Sequence, residues 1–96
     1  MHYVYLLHCG DGSLYTGYTT DVRRRVAEHR AGEGAKYTRG RGPLTLRRVE
    51  AYRSRSAAQS REYEVKQLSR SAKTRLVPDQ TDRIALGGLF VGDAVQ

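Results

Sequence analysis

At 96 residues the chain has room for one domain with one small core, and seventeen Lys and Arg against ten Asp and Glu give it a formal charge of +7. Most of those cations are arginines, whose planar fork grips phosphate bidentately and stacks on bases, so the composition favours a nucleic-acid partner over charge kept for solubility alone. A lone Cys9 excludes an intramolecular disulfide and a cysteine-cluster zinc site, which fits a reducing cytoplasm. No signal-peptide pattern is expected at the N-terminus, and the longest apolar stretch, Ile84 to Val91, is too short to span a bilayer.

The first element is a buried strand over His2 to Cys9, rich in Val, Leu and Tyr. Gly10-Asp11-Gly12 is a turn signal, and Leu14 to Thr19 is the returning strand. Two loop geometries are open. A two-residue loop pairs His8 with Tyr15 and puts Tyr5 and Tyr15 on opposite faces. A three-residue loop with Gly12 left-handed in a bulge pairs Leu7 with Tyr15 and brings both phenols to one face.

Thr20 can cap a helix from about Asp21 to Arg30, with Val22 and Val26 as its inward stripe. Arg25 and His29 fall on the edge of that stripe, whereas Arg24 and Glu28 point away. The glycine-rich segment Ala31 to Pro43 cannot bury itself and reads as a mobile surface loop. Its Lys36, Tyr37, Arg39 and Arg41 combine cations with an aromatic ring, as a loop touching nucleic acid would. The alternative is an ordinary polar connection with solvated charges.

Leu44 to Tyr52 resembles a third strand. Ser56-Ala57-Ala58-Gln59 is a capping-box pattern that opens a second helix reaching about Ser69, with Ala58, Val65 and Leu68 on its apolar face. Glu62 lies on that same face, where a carboxylate is costly unless it pairs with a cation or binds a metal. Ser71 to Leu76 can form a short third helix. Residues 78–96 read as a weakly ordered tail, with Leu89, Phe90 and Val91 able to dock on the core of a domain spanning 1–77.

The chain has no glycine-rich phosphate loop of the G-x-x-x-x-G-K type and no G-x-S-x-G nucleophile elbow, and its three histidines lack the spacing of a helical zinc pair. What remains is Tyr5, Tyr15, Arg25, His29 and Glu62. A carboxylate with an arginine and phenols suits phosphodiester chemistry. Glu62 could hold a divalent ion through its oxygens, Arg25 could stabilise the transition state, and a phenol could take a proton from water if its pKa fell from about 10.

Tyr3-Val4-Tyr5, Tyr15-Thr16-Gly17, the run from Thr19 to His29 and the Arg61-to-Lys66 helix, in that order and spacing, resemble a GIY-YIG nuclease domain, specifically the small single-domain bacterial proteins. The match covers about residues 2 to 77. The resemblance implies an α+β fold with a small three-stranded antiparallel sheet flanked by helices, and one divalent metal, Mg²⁺ or Mn²⁺. By the same resemblance Tyr15 activates or positions the attacking water, Tyr5 orients water and phosphate, Arg25 is the catalytic arginine and His29 contacts phosphate or assists proton transfer. Glu62 is the metal ligand, and Gly17 allows close backbone packing near the substrate. Tyr3 departs from the family's glycine, Thr16 from its isoleucine, and Tyr18 stands, beside the substrate, where some relatives carry Lys.

The expected activity is a metal-dependent DNA endonuclease or structure-directed nuclease in repair or recombination, monomeric and cytoplasmic, with no membrane partner. A protein partner could supply specificity, since no additional zinc finger or helix-turn-helix is evident. The competing expectations are a non-catalytic nucleic-acid-binding module that uses the loop 32–42, and a structural protein whose charges are merely solvated; DNA and RNA are not distinguished by these residues.

Overall fold

The computed structural model describes residues 1–77 and the backbone of two short strands beyond them. Strands β1 (His2–His8), β2 (Leu14–Thr19) and β3 (Thr45–Tyr52) form one antiparallel sheet in the order β2-β1-β3. Helix α1 (Val22–Arg30) lies between β2 and β3 in sequence, and α2 (Arg55–Lys66) and α3 (Arg70–Leu76) follow β3. This is the expected α+β architecture. Further along, β4 (Ile84–Leu86) and β5 (Leu89–Val91) pair as an antiparallel hairpin. That hairpin was not expected, although two apolar triplets around Gly87-Gly88 are a recognisable sequence signal for one. Residues 78–83, 87–88 and 92–96 lie outside the described residues, and so do the side chains expected to dock from Leu89, Phe90 and Val91.

The β1–β2 turn takes the three-residue form. The Gly12 N–H donates to Cys9 O at 2.9 Å, Cys9 N–H donates to Ser13 O at 2.9 Å, and Gly12 sits at φ 88°. A side chain would strain that left-handed position. The resulting register pairs Leu7 with Tyr15 and Tyr5 with Gly17. Side chains alternate along a strand, so Tyr5 and Tyr15 share one face.

That face carries the main core. Tyr5, Leu7, Val22, Val26, Leu46 and Val49 pack together under α1, with Tyr3 and Tyr15 against their edge. The other face of β1 turns Val4 and Leu6 inward, fully buried, and α2 covers β1 and β2 with buried Ala58 and Val65. Leu68, expected on the apolar face of α2, lies beyond its end and is half-buried.

Strand β3 contains a β-bulge. Leu6 pairs with Arg48 but Leu7 pairs with Leu46, which leaves Arg47 as the extra residue. Arg48 and Glu50 therefore lie on the face opposite Leu46 and Val49. There Glu50, with its side chain 8% exposed, accepts from Arg48 Nε at 2.7 Å, Arg61 Nε at 2.8 Å and the Tyr52 hydroxyl at 2.7 Å. Burial alone would raise the Glu50 pKa; bonds from Arg61, Tyr52 and Arg48 more than offset it and hold the carboxyl at about 2.

The helix starts differ from those expected. Asp21, not Thr20, caps α1: its carboxylate accepts from Arg24 N–H at 3.1 Å, while Thr19 Oγ1 accepts from Asp21 N–H. Ser54, not Ser56, caps α2 by accepting from Ala57 N–H at 3.1 Å, which moves the helix start ahead of the expected capping box. That helix ends at Lys66 rather than Ser69, because Ser69 caps α3. Among the described residues no helix is long and apolar enough to cross a membrane.

Candidate active site

The site begins at the hairpin. Because Gly17 opposes Tyr5 in the register, the Tyr5 ring lies over a position with no side chain. A Cβ on Gly17 would fall 2.3 Å from Tyr5 Oη. Gly17 itself is buried, and it makes room for the phenol. The Tyr5 and Tyr15 ring centroids are 6.3 Å apart. Tyr5 is 1% exposed, whereas Tyr15 is half-buried and is the phenol that a substrate can reach.

Helix α1 adds the next two groups. Its stripe runs Val22, Val26, His29, so His29 is a core residue at 1% exposure rather than an edge residue. The Tyr5 hydroxyl and His29 Nε2 are 2.7 Å apart, and the Tyr15 ring meets the imidazole edge-on at 5.1 Å. Arg25 stands at the half-buried edge, as its helical position requires. Its Nη1 donates to Glu28 Oε1 at 3.0 Å, so Glu28, expected to point away, reaches back to Arg25. The Glu28 hydrogen bond and the Tyr5 phenol both hold Arg25 firmly protonated.

Electrostatics bind these groups into one unit. Burial pushes the Tyr5 phenol well up, and the nearby Arg25 guanidinium offsets only part of that rise. Tyr5 therefore stays protonated at neutral pH. Burial, followed by the Arg25 charge, lowers the His29 pKa, so the imidazole is neutral there.

The segment 31–43 is anchored, not a free surface connection. Thr38 is 1% exposed, and its Oγ1 lies 2.8 Å from His29 Nδ1 and 3.2 Å from Ala35 O. Gly34 packs flat on the imidazole, where an added Cβ would fall 2.4 Å from Nδ1. Tyr37, 42% exposed, stacks on Tyr15 at 5.7 Å, and the Arg41 guanidinium lies over the Tyr37 ring at 4.3 Å while it pairs with Asp11. Lys36 and Arg39 are exposed on the same segment, and Arg39 Nε donates to Gly32 O at 3.2 Å. A cavity of about 280 Å³ opens behind His29 and Thr38, bounded by Arg30, Pro43 and Leu44.

Two expected residues sit differently. Tyr18 points to the opposite face from Gly17, because adjacent strand residues alternate. It meets His2 Nδ1 at 2.8 Å and lies under Arg55, on the face opposite the Tyr5–Tyr15 pair. Glu62 is on the inward side of α2 with its side chain 21% exposed, and it pairs with Lys66 Nζ at 3.0 Å rather than with an arginine.

Among the described residues no group of three or more His, Cys, Asp or Glu could hold a metal on its own. Glu62, one partly open carboxylate, fits an ion of the magnesium type, which keeps several waters and takes one or two carboxylates plus substrate phosphate. It does not fit a structural metal caged by protein ligands.

Thr38, Glu28 and Gly34 were not singled out in the sequence. Glu28 carries a signal, since it stands three residues after Arg25 on one helix. Thr38 carries none that separates it from the other polar residues of its loop.

A three-stranded antiparallel sheet that puts two signature tyrosines beside an arginine and a histidine from the next helix, with a glutamate on a later helix, defines a GIY-YIG domain. The family described as the GIY-YIG catalytic domain matches residues 1–75, and the chain belongs to it. Within that nuclease superfamily its relatives are UPF0213 proteins. One from Halobacterium salinarum is 64% identical over 76 residues, covering 79% of this chain and 99% of its own. Another, from Natronomonas pharaonis, is 65% identical over 80 residues, covering 83% and 94%. The solution NMR structure of a UPF0213 protein from Bacillus halodurans is 60% identical, covers 78% of this chain and 80% of its own, and gives a TM-score of 0.52. A solution NMR structure from E. faecalis is 45% identical, covers 77% and 79%, and gives 0.55. Family and fold agree with the expectation drawn from the two signatures.

Proposed function

We propose that the protein hydrolyses phosphodiester bonds in nucleic acid, as a DNA endonuclease or structure-directed nuclease serving repair or recombination, with one Mg²⁺ or Mn²⁺ ion held through Glu62. The observation that carries this reading is the meeting of Tyr5, Tyr15, Arg25 and His29 beside Tyr37 and Arg41. Membership in a nuclease superfamily supports it. The divalent ion, when bound, would neutralise phosphate charge and the leaving oxygen.

The chain's own residues divide the remaining work. Arg41, Lys36 and Arg39 attract the phosphate backbone, and Tyr37 offers a face for a base. Tyr15, the accessible phenol, holds the attacking water and accepts the proton that the water sheds, passing its own to solvent. The water oxygen bonds to phosphorus as the bond to the leaving nucleoside oxygen breaks, and that oxygen takes a proton from solvent. Arg25 balances the charge that grows on the phosphoryl oxygens. Tyr5 remains a phenol and donates to His29, while Glu28 steadies Arg25.

The test is cleavage of nicked, branched and single-stranded DNA, with RNA alongside, in Mg²⁺ or Mn²⁺, by the wild type and by Glu62→Ala and Tyr15→Phe. Both variants should lose most of the cutting. If no nucleic acid is cut, or Glu62→Ala cuts as well as the wild type, the mechanism fails. The second reading, a non-catalytic binder, rests on the Tyr37–Arg41 stack. It expects metal-independent affinity that suffers more from Arg39→Ala with Arg41→Ala than from Glu62→Ala.

A further inference from the structure

We infer that Thr38 is a positioning residue: its buried hydroxyl fixes the tautomer of His29 and, through it, the direction in which the Tyr5 hydroxyl donates. The catalytic consequence rests on the nuclease reading above; the tautomer assignment does not.

The donors and acceptors can be counted. Thr38 Oγ1 has two polar neighbours, Ala35 O at 3.2 Å and His29 Nδ1 at 2.8 Å. A carbonyl oxygen can only accept, so the threonine's single proton goes to Ala35. The threonine oxygen must then accept from His29, which puts the imidazole proton on Nδ1. A neutral imidazole has one N–H, so Nε2 is bare and accepts from the Tyr5 hydroxyl 2.7 Å away. With its proton directed at His29, the Tyr5 oxygen keeps its lone pairs free to accept. One chain of bonds thus runs from the Ala35 carbonyl through Thr38 and His29 to Tyr5.

Each link is enclosed. Thr38, His29 and Tyr5 are each 1% exposed, so in the intact protein their bonds are made to one another rather than to bulk water. Gly34 lies against the imidazole and keeps the ring from turning over. If the threonine hydroxyl is removed, Nδ1–H has no acceptor. The proton then moves to Nε2 and points at the Tyr5 oxygen. Tyr5 must in turn swing its own proton away from His29.

The experiment reads the ring nitrogens of His29 by ¹⁵N NMR at neutral pH in the wild type, Thr38→Val and Thr38→Ser, with DNA cleavage and its pH profile measured in parallel. The wild type and Thr38→Ser should carry the proton on Nδ1, and Thr38→Val on Nε2. Cleavage should fall about 10–100-fold in Thr38→Val and return with Thr38→Ser, the range seen when a partner that orients a functional histidine is lost. A wild-type proton on Nε2 overturns the inference even if Thr38→Val does not fold, and so does a folded Thr38→Val that keeps Nδ1–H. A wild type with the stated tautomer but no nuclease activity sinks the nuclease reading and leaves the assignment of Thr38 standing.

Discussion

The Tyr5 phenol lies directly over Gly17, its partner across the hairpin, and no side chain can be placed between them. The second signature therefore ends in glycine for a steric reason that lies in the first. Gly17→Ala should displace the Tyr5 ring, lower stability by roughly 1–3 kcal/mol as overpacked cores do, and reduce cleavage along with it. Thermal denaturation beside a cleavage assay checks this; an unchanged melting temperature would mean that the ring is not seated there.

Tyr5→Phe keeps the ring and removes one hydroxyl. It strands the buried His29 Nε2. The expected cost is about 1–3 kcal/mol of stability. Denaturant titration measures it, and a change within error would place the hydroxyl outside the network.

Acid should open the same network. The His29 pKa is depressed from its ordinary value of 6.5, first by burial and then by Arg25. A depressed pKa means that the unfolded chain binds the proton more readily. This contribution is therefore complete above the ordinary pKa and is lost as pH falls through the lowered one. Titration of the His29 ring signals should give a midpoint below 6.5, with the acid limb of the cleavage rate beside it. A midpoint above 6.5 contradicts the assigned environment.

Glu50 governs a more acidic window on the other face of the sheet. Its carboxyl is held at about 2 against an ordinary 4.5, so its stabilisation is full above 4.5 and fades as pH falls toward 2. The shift corresponds to roughly 3 kcal/mol. Glu50→Gln should lower the wild-type melting temperature at pH 7 and flatten its decline in acid. If both proteins lose stability in parallel below pH 4.5, the carboxyl is not the group responsible.

Arg41 caps the exposed side of the active face, on Tyr37 and beside Asp11. Arg41→Ala should weaken nucleic-acid binding about equally across sequences and reduce the slope of log affinity against log salt by about one. Fluorescence anisotropy over a salt series gives that slope directly.

Much of this arrangement was legible in the chain, and for identifiable reasons. Gly12 left two register options, and chemistry that needed both phenols on one face selected the one the backbone adopts. Arg25 and Glu62 followed from helical periodicity around Val22, Val26, Ala58 and Val65. Periodicity placed His29 only on an edge, because it counts apolar residues and passes over a histidine buried by its own hydrogen bonds. Thr38 escaped for a related reason: a loop of glycines and cations looks solvated, and a single hydroxyl has no sequence context that marks it as buried. Tyr18 stands apart from the tyrosine pair because strand alternation sends it and Gly17 to opposite faces. The helix caps differed because several Ser, Thr and Asp residues competed within one turn, and local backbone geometry decided among them.

The bulge at Arg47 gives β3 an uneven tolerance to changes of length. Elsewhere in this strand, losing one residue would exchange its two faces, sending Glu50 toward the tyrosines and Val49 toward α2. Losing Arg47 would not, because Leu46 and Arg48 already belong to opposite faces and would simply become consecutive partners of Leu7 and Leu6. A scan of single-codon deletions through the strand should therefore find its register most tolerant at the bulge.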